Sequence, residues 1–251
     1  MSFLRGLGSF YARIGRTYFH WSPVLMLLAV LVFLPLGLVD ALSAELDVDS
    51  LDLDSGVKIA ALVAAVGALT ATSLIGEVFY SGAIAISLTH PADERPPSVL
   101  EIARRIDYRR LIAVDLIYVA IVVVGMILFV VPGALAFVFL GLSGPVVEIE
   151  KRSVRGALTR SFQLVRGKFW LVFWILVPIE IVGDAIGEWL ADLIHEALGE
   201  TFFATWMAEA VSNVVLSPIF AIAAVLLTLH LIARKDGAAP ALNPKPVPSP
   251  S

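Results

Sequence analysis

The stretch GPVVEIEKRSVRGALTRSFQLVRGKFW, Gly144 to Trp170, decides the fold, because it is the one long basic segment set between two apolar runs that could each cross a membrane. Wound as a helix from Ser153 to Arg166 at about 100° per residue, it places Val154, Ala157, Leu158, Ser161, Phe162, Leu164 and Val165 on one arc. Arg155, Thr159, Arg160, Gln163 and Arg166 take the other. This predicts a basic amphipathic helix lying in the headgroup plane, its guanidinium groups toward anionic lipid phosphates. The plainer reading is a connector between two spans.

Composition agrees with a membrane setting. The chain has 251 residues, of which 59% are hydrophobic and only 16% charged, with a mean hydropathy of +0.89; soluble domains carry about 25% charged residues. Cysteine is absent. Disulfides, cysteine nucleophiles and thiolate metal sites are therefore excluded.

Outward from the basic stretch, apolar runs predict six transmembrane helices at about 22–41, 57–88, 111–131, 134–147, 168–186 and 211–233. The expected fold class is all-α, a polytopic bundle in a single domain over 1–237, followed by a disordered proline-rich tail over 238–251. The first run exceeds the ~7–15 residues of a signal-peptide core, so it reads as a retained span. Ahead of it, Phe3, Leu4, Leu7, Phe10, Tyr11, Ile14 and Tyr18 share one helical face, with Arg5, Arg13 and Arg16 opposite. Asp40 to Ser55 reads as a solvated acidic loop that lacks the glycine and closing glutamate of an EF-hand. The run 57–88 would be about 48 Å long as one helix and should tilt or project. HPADERPP, from His90, ends it. A third basic amphipathic helix begins at Ser98 and carries Arg104, Arg105 and Arg109. Pro132-Gly133 predicts the turn between the third and fourth spans, leaving the fourth short. Pro178 predicts a kink in the fifth.

Charge threads the chain. Seventeen of the 18 lysines and arginines fall on one side of the six spans and only Lys58 on the other. The positive-inside rule then predicts a multi-pass protein of the cell membrane, a bacterial inner membrane, with both termini cytoplasmic. A basic helix followed by a two-span hairpin recurs three times, from near Ser2, Ser98 and Ser153. That suggests a parallel internal repeat, with convergent surface helices as the alternative.

Pro145, Glu148, Ala157, Leu158, Ser161, Leu164, Gly167 and Trp170, together with Leu216-Ser217-Pro218 through Gly237, resemble the signature of a broad group of uncharacterised bacterial membrane proteins. That group is similar to the membrane domain fused to some glycerophosphodiester phosphodiesterases. The likeness covers roughly the second half of the chain. It implies a helical membrane domain and no activity, since no phosphodiesterase domain is present.

No Ser/His/Asp order, phosphate-binding glycine loop or HExxH pattern occurs, so no catalytic residue, cofactor or metal is expected. Asp192, His195 and Glu196 share a face but read as a solvated acidic helix. Three carboxylates stand within apolar runs: Glu180, Glu77 and Asp115. Glu180 lies deepest, about 18 Å along the helix from Lys168. Pro178 would free the Trp174 carbonyl beside it. Glu77 and Asp115 are expected to pair with arginines near the inner boundary. Candidate anionic-lipid contacts are Arg155, Arg160, Arg166, Arg104 and Arg105. The expected function is a non-enzymatic membrane protein that binds lipid or a protein partner, with a small-molecule or lipid transporter as the alternative and an intramembrane enzyme last. The expected partner is the bilayer, with its anionic lipids, and no nucleic acid.

Overall fold

The computed structural model describes residues 2–44, 76–90 and 97–237. Their regular structure is helical: α1 (Ser2–Ala44), α2 (Glu77–Leu88), α3 (Val99–Arg105), α4 (Tyr108–Leu128), α5 (Val130–Leu140), α6 (Ser143–Glu150), α7 (Val154–Arg166), α8 (Phe169–Leu198) and α9 (Phe202–Asp236). Most of the expected acidic loop, 57–75 of the second expected span, the breaker-rich 91–96 and the proline-rich 238–251 lie outside the described residues.

Among the described residues, four spans are long and apolar enough to cross a membrane: α4, α5 with α6, α8 and α9. A fifth is added if α1 is counted as one bent span, its arms Gly6–His20 and Pro23–Leu38 meeting at 85°. The chain is a multi-pass membrane protein. On α4, Leu111, Val114, Asp115, Tyr118 and Val122 turn inward, while Ile112, Leu116, Ile121, Val124 and Leu128 are exposed. An apolar stripe of that length suits hydrocarbon, not water.

The centre of the bundle is α9. From Phe220 to Leu229 every residue is buried, as expected of a helix that is apolar all round. It packs most extensively against α1 and α8, and then against α2. The first arm of α1 docks along it, with Phe10 edge-on to His230 and the Tyr18 hydroxyl donating to the Val215 carbonyl at 3.1 Å. Both long helices outlast the hydrocarbon core. At 30 and 35 residues, α8 and α9 span about 45 and 52 Å, so the hairpin at Gly199-Glu200-Thr201 projects beyond it. The expected end of the fifth span near Ile186 is not a helix end.

Two expected boundaries move. The turn between the third and fourth spans is at Phe129, which is extended (φ −163°, ψ 144°), and not at Pro132-Gly133. Those two residues lie in the first turn of α5, where a missing N–H leaves no bond unmade. The fourth span thereby gains length and runs over Val130–Glu150. The second boundary is Gly76, at φ 100°. It interrupts the expected 57–88 helix, so that α2 starts at Glu77.

α2 is almost wholly enclosed. It crosses α6 backbone to backbone: a Cβ built on Gly144 would stand 1.9 Å from the Val78 carbonyl oxygen. Only glycine fits there.

Ser98 and Ser153 cap α3 and α7 in the same way, each hydroxyl accepting an amide three residues on. The arc of α7 expected to face lipid phosphates is partly turned inward. Arg160 is buried with Ala157, Ser161, Leu164 and Val165, its guanidinium 2.9 Å from Glu150 and bonded to Asp236 at the end of α9. Burial opposes its charge, but the two carboxylates outweigh that and hold the guanidinium above its ordinary value. The remaining residues of the resemblance are also architectural. Glu148 accepts the Asp107 amide at 2.9 Å and pairs with Lys151, and Ser161 donates to the Phe139 carbonyl at 2.8 Å. Gly167 ends α7, and Trp170 is exposed.

Candidate functional site

A cavity of about 350 Å³ lies between α8 and α9, with α2 at its inner end. The walls follow from helical periodicity. On α8, Glu180, Asp184 and Glu188 recur every four residues, flanked by Gly183, Gly187 and Ala191, whose small side chains hollow out the wall. Facing them on α9 are Glu209, Ser212, Asn213 and Ser217. That polar ladder is internally tied: Asn213 donates to the Glu209 carbonyl at 3.0 Å and Ser212 to the Gly187 carbonyl at 3.4 Å.

Burial deepens along the cavity. Glu188 and Asp184 are exposed, Glu180 is half-buried, and Glu77 at the inner end is 8% exposed. Two of the three carboxylates singled out in the sequence meet here, Glu77 and Glu180 both lining the cavity. Carboxylates brought together in a low-dielectric site favour a proton or another cation beside them. Glu77 Oε2 has no hydrogen-bond donor among the described residues. No basic side chain among them lines the cavity.

Asp115, 4% exposed, stands behind the pair. Its Oδ2 accepts the Gly76 amide at 2.8 Å. It thus sits at the start of α2, the positive end of the helix dipole. A carboxylate at that position complements the unpaired amides with which α2 begins. The fully buried Tyr118 lies one turn along α4 from Asp115. Its hydroxyl, too, is unpartnered among the described residues.

Two expectations are corrected by this geometry. Among the described residues no arginine pairs with Glu77 or Asp115; Arg110 instead pairs with Asp107 at 3.1 Å. The Trp174 carbonyl freed by Pro178 is taken by the Tyr11 hydroxyl at 2.8 Å, not by Glu180. Sequence reasoning missed Tyr118, Glu209, Asn213 and Ser217. The spacing of Glu209, Asn213 and Ser217, four residues apart at the head of the last span, was the available signal.

Asp192, His195 and Glu196 do not form a metal-ligand set, and no group of three such side chains converges among the described residues. The carboxylates are strung along a groove. That arrangement suits an extended organic cation better than a single metal ion. No protein-family model, no curated protein and no solved structure matches this chain.

Proposed function

We propose that the protein is a membrane transporter that exchanges an organic cation for protons at the Glu77–Glu180 pair. The observation that carries this reading is the meeting of Glu77, whose Oε2 is unpartnered among the described residues, with Glu180 in a cavity lined with carboxylates. Such a pair is stable in a low-dielectric site only with a proton or another cation beside it, so binding an ammonium group there displaces the proton. The buried start of α2 at Gly76–Glu77 supports the same reading, since transporter sites are often built at helix ends within the bundle. This places transport ahead of the lipid- or partner-binding role suggested by the basic helices. It does not require enzymatic chemistry.

Protein reconstituted in vesicles loaded with a pH-sensitive dye should move protons against an imposed gradient of ethidium or spermidine. Because proton and cation compete, the apparent Kd should rise as pH falls, by up to about tenfold per pH unit for one proton displaced. If neither ethidium nor spermidine displaces protons or binds, the reading fails.

The proposal includes six spans with both termini cytoplasmic, in a bacterial inner-membrane protein of the group that resembles the glycerophosphodiester phosphodiesterase membrane domain. Single cysteines at Ser50 and Glu200 should react with an impermeant maleimide in intact cells, and one at Ser153 should not. Labelling of Ser153→Cys from outside would overturn the threading.

A further inference from the structure

The cytoplasmic ends of three helices bring together cations that none of the candidate lipid contacts includes. Phe10 of α1 lies against His230 of α9, with ring centroids 6.4 Å apart. Arg13 is one turn along α1 from Phe10, Arg234 one turn along α9 from His230, and Lys168 precedes α8, whose Trp174 carbonyl takes the Tyr11 hydroxyl. Three elements far apart in sequence therefore present positive charge at one end of the bundle. No carboxylate among the described residues forms an ion pair with any of the three, whereas Arg110, Lys151, Arg152 and Arg160 each have one. Like charges held together without an acidic partner repel, and an external anion relieves that cost.

The surroundings indicate which anion. Trp170 and Trp174 are exposed at 64% and 47% and belong to a run of ring contacts through Phe169 and Phe173. Exposed tryptophans of this kind mark the headgroup level of a membrane. Tyr11 ties α1 to α8 in the same region through its bond to the Trp174 carbonyl. A phosphodiester at this depth, with its acyl chains against the tryptophan-bearing face of α8, satisfies the cations and the exposed aromatic surface together.

We propose that Arg13, Lys168 and Arg234 hold the phosphate of an anionic phospholipid at the inner end of α8 and α9. The site is independent of the acidic cavity, which opens toward the opposite ends of the same helices. It also differs from the contacts expected on α7, since Arg160 is committed to Glu150 and Asp236.

The test uses the full chain in a mild detergent, titrated with dioleoylphosphatidylglycerol or dioleoylphosphatidylcholine and examined by native mass spectrometry. Wild type should retain phosphatidylglycerol in preference to phosphatidylcholine. The triple variant Arg13→Ala, Lys168→Ala, Arg234→Ala should bind it between about tenfold and a hundredfold more weakly. The charge-keeping variant Arg13→Lys, Lys168→Arg, Arg234→Lys should retain most of it, which separates loss of charge from loss of fold. Competition by soluble glycerol phosphate at concentrations similar to the lipid would show a free-phosphate site and overturn the lipid assignment. Equal retention by wild type and the alanine variant, or an equal loss in Arg155→Ala, Arg166→Ala, would overturn the site.

Discussion

Glu180→Gln is expected to abolish proton release on cation binding and to weaken that binding by about thirtyfold or more, the usual scale for removing one partner of a desolvated charge contact. The substitution keeps the shape of the side chain and removes only its charge. Folding should therefore survive. Asp184→Asn lies one turn toward the mouth and is exposed, so water screens its charge and only a severalfold loss of affinity is expected. The comparison is made by ethidium fluorescence titration of the purified protein, with a pH dye reporting the released proton. Equal effects at Glu180 and Asp184 would mean that the cavity acts as a diffuse acidic surface rather than a site with a closed end.

Gly144→Val should leave little or no folded protein. Its first side-chain carbon would fall 1.9 Å from the Val78 carbonyl oxygen, and that oxygen belongs to backbone which cannot rotate away. Overpacking in a core typically costs about 1–3 kcal/mol when side chains can yield, and here α2 is held on three sides, by α6, α4 and α9. A loss above about 3 kcal/mol is a large share of the stability of an ordinary domain. Gly183→Val is the natural comparison, because a Cβ there meets nothing within 4 Å. It should fold and only narrow the cavity. Fluorescence-detected size exclusion and thermal melting read both outcomes, and a monodisperse Gly144→Val with wild-type melting would refute the close crossing.

The parts of this architecture that depend on repeated pattern were legible in the sequence. Apolar runs and the one-sided distribution of arginine and lysine pointed to a multi-pass bundle, and counting from Lys168 put Glu180 deep in α8. Single-residue features were harder to read. Phe129 carries no turn signal, so the hairpin between α4 and α5 was assigned to Pro132-Gly133, which a helix accepts in its first turn. Gly76 lies within the run expected as a span over 57–88, and nothing in that run signals its positive φ or the bond of its amide to Asp115. The acceptor left by Pro178 was identified correctly and its donor was not, because Tyr11 is 163 residues away in sequence. Likewise, Glu77 and Glu180 line one cavity although they are more than 100 positions apart, and no local periodicity encodes such a meeting.

The central claim is that Glu77 and Glu180 form a proton-bearing pair reached from the membrane interior and from the cavity. A hydrophobic carbodiimide modifies carboxyls that carry a proton and are reached through lipid, so it tests this directly in native membranes. Mass spectrometry of the labelled protein should locate the adduct on Glu180 or Glu77. Glu180→Gln should remove the Glu180 adduct, and millimolar ethidium or spermidine should protect the wild type. Modification only by a water-soluble carbodiimide, or no protection by either cation, would contradict the account.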